Sequence, residues 1–243
     1  MSDGYSAIYK YYDSFTGNVD YNRRADFIDS RFLKYRKPEI ILDLGCGTGT
    51  LMKLFTDKGY DVIGVDRSSD MLQIAMEKNP GQLLLCQDIT ELDLYGTVQA
   101  AVCMQDTLNH LKDLSEFEKA IKKTALFLES DCLFIFDVNS EYKHKTVLSD
   151  NVYVYENNKA FLVWQNSVDD DYNVKMRLDL FETEDGKRYR RESGQIDELF
   201  LSSDNIYNVL TDSGFEILET IDGDTLSEIS DITQRVLYVV RKK

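Results

Sequence analysis

The stretch Ile41-Leu42-Asp43-Leu44-Gly45-Cys46-Gly47-Thr48-Gly49-Thr50 decides the fold. Its apolar start predicts a strand, and the apolar repeat of Leu51, Leu54 and Phe55 after it indicates a helix. Glycines at such a strand-to-helix turn allow positive φ and let a ligand approach the backbone closely. The start of the helix adds free N–H groups and a positive dipole end. The stretch therefore predicts a ligand-binding loop.

The spacing of these glycines separates two cofactor classes. A dinucleotide fingerprint, G-x-G-x-x-G, would place its last glycine at Thr50, whereas the third glycine here is Gly49. Asp43, two residues before the first glycine, would repel a pyrophosphate, but it could hold the ammonium group of an amino-acid moiety. The pattern therefore favours S-adenosylmethionine over NAD. An NAD(P)-dependent oxidoreductase is the alternative enzyme, and a non-catalytic S-adenosylmethionine-binding protein is the alternative from another class.

Two further carboxylates follow predicted strands. Asp66 ends the run Val62-Ile-Gly-Val-Asp66, and an acid there can accept hydrogen bonds from both ribose hydroxyls of a bound nucleoside. Asp88, in Gln87-Asp88-Ile89, can accept from an adenine amino group. An acid at Asp66 would suit NAD equally well. The prediction of S-adenosylmethionine therefore rests on the order and spacing of the glycine loop, Asp66 and Asp88.

Strand and helix patterns alternate between residues 40 and 138, which predicts a Rossmann-like, doubly wound, seven-stranded sheet. Ser115 and Glu118 predict a capping box for the helix before the fifth strand. Phe215 to Ile221 and Arg235 to Val240 predict an antiparallel pair at the edge of this mostly parallel sheet. Such sheets bind ligands at the carboxyl ends of their strands.

The segments outside this alternation have different patterns. Residues 141–201 read as consecutive strands joined by turn residues such as Glu184-Asp185-Gly186, which predicts a small antiparallel β insert covering the active site. Residues 1–140 and 202–243 are then the core. Apolar residues repeat at helical spacing over 1–35, among them Tyr5, Tyr12 and Phe32, so we expect an N-terminal helical lid.

Composition excludes several classes of function. The chain has 28 Lys and Arg residues against 43 Asp and Glu residues, a net charge of −15 that disfavours nucleic acid as a partner. No apolar run is long enough for a membrane span, and no signal-peptide pattern is visible, so we expect a cytoplasmic protein. Four cysteines without a paired motif and only two histidines predict no metal site. A monomer or a homodimer is expected.

Residues 38 to 140 resemble the class I methyltransferase family. The glycine loop matches its first motif, Asp66 its ribose-binding acid, and the run from Val102 to Asn109 its fourth motif. Tyr12-Asp13 upstream of Asp20-Tyr21, together with the β insert, is similar to a bacterial small-molecule methyltransferase subgroup that includes sugar N-methyltransferases. The chain departs from many relatives at Arg24, where they have an aromatic residue. It also departs at Ser130-Asp131, where they have a Gly-Gly turn.

The resemblance implies a set of site residues and a reaction. It implies that S-adenosylmethionine is bound by Tyr21, Asp43, Gly45, Cys46, Gly47, Gly49, Asp66, Arg67, Met71, Gln87, Asp88, Ile89, Met104 and Gln105. The candidate catalytic residues are Tyr12, Asp106 and Asn109; His110 is a candidate base, with a structural role as its default. The expected reaction is in-line transfer of a methyl group to a nitrogen or oxygen atom of a small molecule. The chain lacks the Pro-Pro-Tyr, Pro-Pro-Phe and Pro-Cys motifs associated with methylation of nucleic-acid bases.

Overall fold

The structure, a computed structural model, describes residues 2–3 and 8–243. Tyr5, expected in the N-terminal helix, lies outside these residues. Within them, seven strands form a large sheet: β2 (Ile40–Leu44), β3 (Asp61–Asp66), β4 (Leu83–Cys86), β5 (Val98–Cys103), β6 (Leu128–Asn139), β11 (Phe215–Asp222) and β12 (Arg235–Lys242). Five form a smaller sheet: β1 (Ser2–Asp3), β7 (Val152–Glu156), β8 (Ala160–Val168), β9 (Val174–Glu182) and β10 (Arg190–Glu198).

The large sheet has the order β11-β12-β6-β5-β2-β3-β4. Strands β2 to β6 pair in parallel, whereas β12 is antiparallel to both of its neighbours, β6 and β11. The predicted doubly wound sheet with an antiparallel edge is confirmed. Its strand order reverses between β2 and β5, and in such sheets the crevice beyond the strand ends at this point is where ligands bind.

Helices cover both faces of the large sheet. The helices are α1 (Tyr12–Phe15), α2 (Tyr21–Tyr35), α3 (Thr50–Asp57), α4 (Ser69–Lys78), α5 (Leu114–Phe127) and α6 (Ser203–Asp212). On one face, Phe32 of α2 and Phe55 of α3 are fully buried against the sheet. On the other, Phe117 of α5 and Leu210 of α6 pack over Phe134 of β6. Burial of such side chains contributes about 1.5–3 kcal/mol each. No helix in the described part of the chain is long and apolar enough to span a membrane.

The start of α5 differs from the prediction. Asp113 is the N-cap, and its carboxylate accepts a hydrogen bond from the N–H of Glu116 at 3.0 Å. The Glu116 carboxylate in turn accepts from the N–H of Lys112. The predicted capping box at Ser115 and Glu118 is therefore wrong by two residues, because an aspartate earlier in the chain caps the helix equally well.

The N-terminal segment, predicted to be helical over 1–35, is helical only in parts of its described residues. Ser2 and Asp3 form β1, which pairs with β10 in parallel. A 3-10 turn over Tyr9–Tyr11 leads into the short α1, and α2 begins only after Asp20, whose carboxylate caps the N–H of Arg23. The turn between α1 and α2 interrupts the helix, and Asp20 caps the start of α2. The apolar spacing alone does not reveal this interruption, because it is continuous with a helical pattern.

The smaller sheet has the order β1-β10-β9-β8-β7, and β7 to β10 are the predicted antiparallel β insert. Its last strand ends at Glu198 rather than near Leu201. Leu162, Leu178 and Leu180 of its inner face pack with Ile8 and Leu148. A π-helix, Lys143–Leu148, connects the two sheets. No pattern in the sequence indicated it.

Candidate functional site

One pocket opens at the carboxyl ends of β2 to β5. Most of the residues predicted to bind the cofactor or to act in catalysis line it: Tyr12, Tyr21, Asp43, Gly45, Cys46, Gly47, Asp66, Arg67, Met71, Gln87, Asp88, Ile89, Met104 and Gln105. Three do not: Gly49, Asp106 and Asn109. His110, the candidate base, also lines it. The other lining residues were not among the predicted binding or catalytic residues: Arg24, Thr48, Thr50, Leu51, Ser68, Thr107 and Leu111.

The glycine loop needs its glycines for two reasons. Gly45 has φ +70°, and a Cβ there would collide with the side chain of Thr107. Gly47 has φ +54°, and a Cβ there would meet no atom within 4 Å and would fill open space. Gly49, the N-cap of α3, faces Asn79 and Ala75 instead of the pocket. Gly49 therefore serves the packing of the loop against α4, and its contact with a cofactor stays a prediction.

Asp66, the last residue of β3, holds the loop and the start of the next helix. Its Oδ2 accepts a hydrogen bond from the Gly47 N–H at 2.9 Å, and its Oδ1 accepts from the Ser68 N–H at 2.8 Å. A carboxylate has about four acceptor positions, so each oxygen can also accept from a hydroxyl. This geometry suits a ribose whose two hydroxyls lie side by side.

Asp43 is buried in the pocket wall, and its Oδ2 has no hydrogen-bond partner among the described residues. Burial, and then the negative charge of Asp66, raises the pKa of Asp43 to about 7. The Nε2 of Gln105 is also buried without a partner in the described structure. Unpaired buried polar groups are costly, and the ammonium and carboxylate groups of an amino acid would satisfy them. These residues therefore fit the amino-acid end of S-adenosylmethionine.

The opposite end of the pocket combines apolar side chains with one acid. Met71 and Ile89 are buried there, beside the exposed Asp88. Oδ1 of Asp88 accepts from the N–H and the hydroxyl of Thr90, at 2.8 and 2.7 Å, which fixes the carboxylate. An apolar slot with a fixed acceptor at its rim fits an adenine ring and its amino group.

The N-terminal segment closes over the glycine loop through a group of polar contacts. Asp13 Oδ1 accepts from the hydroxyl of Thr48 at 2.6 Å, and its Oδ2 pairs with Nζ of Lys78 at 2.5 Å. Lys78 also donates to Thr48 and Thr50, at 3.0 and 2.9 Å. We call Asp13, Thr48, Thr50 and Lys78 the N-terminal latch. Since Tyr12 precedes Asp13, the latch holds Tyr12 in the pocket.

Asn109 has a structural role. It is fully buried, its Oδ1 accepts from the backbone N–H of Asn139 at 2.9 Å, and its Nδ2 donates to the carbonyl of Leu199 at 2.9 Å. Both ends of its amide are therefore bonded to backbone, and it ties β6 to the end of the insert. This geometry contradicts the predicted catalytic role of Asn109.

Asp106 lies behind the pocket wall in an ion pair. Its Oδ1 is 2.7 Å from Nη2 of Arg235. Burial acts to raise the pKa of Asp106, but the charges of Arg235, Lys143 and His110, with the hydrogen bond from Arg235, together outweigh it and hold the pKa well below its usual range. The carboxylate therefore stays ionised and paired, which removes it from proton transfer at neutral pH.

Tyr12 and His110 both line the pocket. Burial raises the pKa of the Tyr12 hydroxyl, so it stays protonated and can donate a hydrogen bond. His110 Nδ1 lies 3.2 Å from the carbonyl of Asp197, and its Nε2 lies 3.8 Å from Asp106 Oδ2. The pocket thus brings together a hydroxyl and an imidazole that are far apart in the sequence.

Asp106, His110 and Glu198 bring possible metal-ligand atoms within 4.8 Å of one another. The guanidinium of Arg235 already neutralises Asp106. Burial, and then the charge of Asp106, raises the pKa of Glu198 to about 8, so this carboxyl is mostly protonated at neutral pH. The two carboxyl groups are therefore already compensated, Asp106 by the charge of Arg235 and Glu198 by its proton.

Comparisons with known proteins agree with this geometry. A family model described as a methyltransferase domain matches residues 41–131. A putative methyltransferase of Geobacillus sp. strain WCH70 is 27% identical over 98% of this chain and 99% of its own length. A crystal structure of an S-adenosylmethionine-dependent methyltransferase from Clostridium acetobutylicum is 29% identical and superimposes with a TM-score of 0.88, covering 97% of each chain.

A relative with a named acceptor matches over about half of its length. It is a dTDP-3-amino-3,6-dideoxy-alpha-D-glucopyranose N,N-dimethyltransferase of Streptomyces fradiae, 29% identical over 49% of this chain and 47% of that one. These matches set aside the oxidoreductase and non-catalytic alternatives. Residues 41–131 form a methyltransferase domain, and the protein is an enzyme with S-adenosylmethionine as its cofactor.

Proposed function

We propose that this enzyme methylates a nitrogen atom of a small, amine-bearing metabolite. The observation that carries the proposal is that Tyr12, on the N-terminal segment, and His110, after β5, line the same pocket as the residues that fit an amino acid. A small amine fits between a hydroxyl donor and an imidazole. The Streptomyces fradiae relative, whose acceptor is an amino sugar, supports the same class.

The reaction needs alignment and removal of one proton. Bound S-adenosylmethionine supplies a methyl group activated by its sulfonium. The amine lone pair forms the new N–C bond while the C–S bond breaks and its electron pair returns to sulfur. The amine acquires a positive charge and then loses a proton. In this proposal Tyr12 orients the amine and His110 accepts the proton, while the alignment supplies most of the rate enhancement.

The N-terminal latch and the smaller sheet support a small acceptor over a macromolecule. The latch holds α1 across the glycine loop, and Ile8 and Phe15 pack among the buried side chains of the smaller sheet. These contacts favour a segment that covers the pocket when a ligand is bound. The net charge of −15 acts against a nucleic-acid acceptor. We therefore assign the N-terminal segment the role of a lid.

The test is a methylation assay over a panel of amines, hydroxyl compounds and amino sugars, read by formation of S-adenosylhomocysteine. We expect turnover with amines, reduced at least tenfold in Tyr12→Phe and in His110→Ala. Tyr207→Phe, an exposed tyrosine on α6, is the matched control and should keep full turnover. Turnover with hydroxyl compounds alone, or full activity in both site variants, would contradict the proposal.

A further inference from the structure

Two consecutive residues after β5 adopt a backbone conformation that favours glycine, although neither is glycine. Gln105 has φ +60° and Asp106 has φ +54°. Non-glycine residues in the left-handed region are strained, and they persist only where surrounding contacts hold them. Gln105 lines the cofactor pocket and Met104 lines it just before the turn. The strain therefore lies in the pocket wall.

Asp137 supplies the contacts that hold this turn. Its Oδ1 accepts a hydrogen bond from the N–H of Asp106 at 2.7 Å, and its Oδ2 accepts from the N–H of Gln105 at 3.2 Å. Successive N–H groups in such a turn form a concave site for an anion, and the carboxylate fills it. Because β5 and β6 are parallel neighbours, their carboxyl ends meet and bring Asp137 to the turn.

Two arginines hold the carboxylate of Asp137 in place. It is fully buried, and it receives hydrogen bonds from Nη1 of Arg24 at 3.2 Å and from Nη1 of Arg235 at 2.8 Å. Asp224 lies 2.7 Å from Nη2 of Arg24 and 3.6 Å from Nε of Arg235. The carboxylate is thus anchored by α2 and β12, so it cannot follow the turn if the turn relaxes.

We propose that Asp137 is a positioning residue for methyl transfer. By binding the N–H groups of Gln105 and Asp106 it keeps the turn left-handed, and this holds the Gln105 side chain in the pocket wall with its Nε2 available to the ligand. Asp137 itself does not line the pocket, so it acts through the turn. The proposal concerns the cofactor half of the site and does not depend on the identity of the acceptor.

Glycine substitution in the turn separates positioning from general stabilisation. Asp106→Gly and Asp106→Ala both remove the carboxylate that pairs with Arg235, but only glycine adopts positive φ without strain. Asp137→Asn is introduced into each background, and the Kd of S-adenosylhomocysteine is measured by calorimetry on the full chain. We expect Asp137→Asn to weaken binding about tenfold or more in the alanine background and less than about threefold in the glycine background.

Equal losses in the two backgrounds would overturn the proposal, since a merely structural role gives no rescue by glycine. Asp169→Asn is the control, because Asp169 also accepts two backbone N–H groups, those of Asp171 and Asn173, in a turn of the β insert. It should leave the Kd unchanged. If the Asp137 variants do not fold, amide hydrogen exchange of the native protein decides. Slow exchange at both Gln105 and Asp106 is expected, and fast exchange at either would refute the proposed hydrogen bonds.

Discussion

Asp66 Oδ2 accepts a hydrogen bond from the N–H of Gly47 at 2.9 Å, so the end of β3 holds the centre of the glycine loop. The same carboxylate is the acid that fits the ribose hydroxyls. One side chain thus shapes the loop and offers acceptors that fit a ribose, and its Oδ2 joins the first two binding motifs of the chain.

Replacing Asp66 should therefore cost more affinity than the loss of ribose contacts alone. We expect Asp66→Ala to weaken S-adenosylhomocysteine binding by about 100-fold or more, because hydrogen bonds to charged groups contribute about 1.5–3 kcal/mol each. The measurement is a calorimetric titration. Asp61→Ala, at the exposed start of the same strand, is the control and should bind normally. Binding of NADH by the native protein with comparable affinity would argue against the proposed pocket.

The pKa of Asp43 predicts a pH dependence of cofactor binding. In the empty pocket this pKa is about 7, whereas a bound ammonium group requires the ionised carboxylate. A proton must therefore be released on binding below pH 7, so affinity should rise with pH, by up to about tenfold per unit below the pKa. Titrations with S-adenosylhomocysteine between pH 5.5 and 7.5 measure this. Asp43→Asn should bind weakly with no such slope; a slope that survives in Asp43→Asn would assign the proton to another group.

The same residue should reduce the stability of the empty protein above neutral pH. Its folded pKa of about 7 exceeds the unfolded value of about 3.9, so the folded state binds the proton more tightly. The associated stability is present at low pH and is lost as the pH rises from about 4 through 7, at a cost on the order of 4 kcal/mol. Urea unfolding at pH 8 should show Asp43→Asn to be more stable than the native protein. Equal or lower stability of the variant would contradict this.

Opening of the N-terminal latch should control release of the cofactor. Lys78→Met removes the cation that joins Asp13 to Thr48 and Thr50. The Lys78–Asp13 pair is partly exposed, and such pairs contribute about 0–1 kcal/mol, so we expect the dissociation rate constant of S-adenosylhomocysteine to rise up to about fivefold. Stopped-flow displacement measures this rate. Lys53→Met, which removes the exposed pair with Asp57 on α3, should leave it unchanged. An unchanged dissociation rate constant in Lys78→Met would contradict the proposal that the latch holds the N-terminal segment as a lid.

The local sequence determined the sheet and the positions of the binding motifs. Asp43, Gly45, Asp66 and Asp88 each stand at or just after the carboxyl end of a predicted strand. Parallel strands bring these ends to one edge, so the strand assignments alone were enough to place the four residues around one pocket. The turn chemistry after residue 140 likewise predicted the antiparallel strands of the smaller sheet.

Only the tertiary structure decided which polar side chains face the pocket and which support it. Asn109 and Gln105 lie in the same predicted motif, but Asn109 is bonded to backbone groups of β6 and the insert, whereas Gln105 lines the pocket. Asp137 and Arg24 are 113 residues apart, and Lys78 and Asp13 are 65 apart. Pairs at such separations leave no periodic pattern in the sequence. Their contacts arise from the docking of the N-terminal segment onto the sheet. For the buried pair of Arg24 and Asp137, an unpaired charge would be costly, so burial selects the partners within reach.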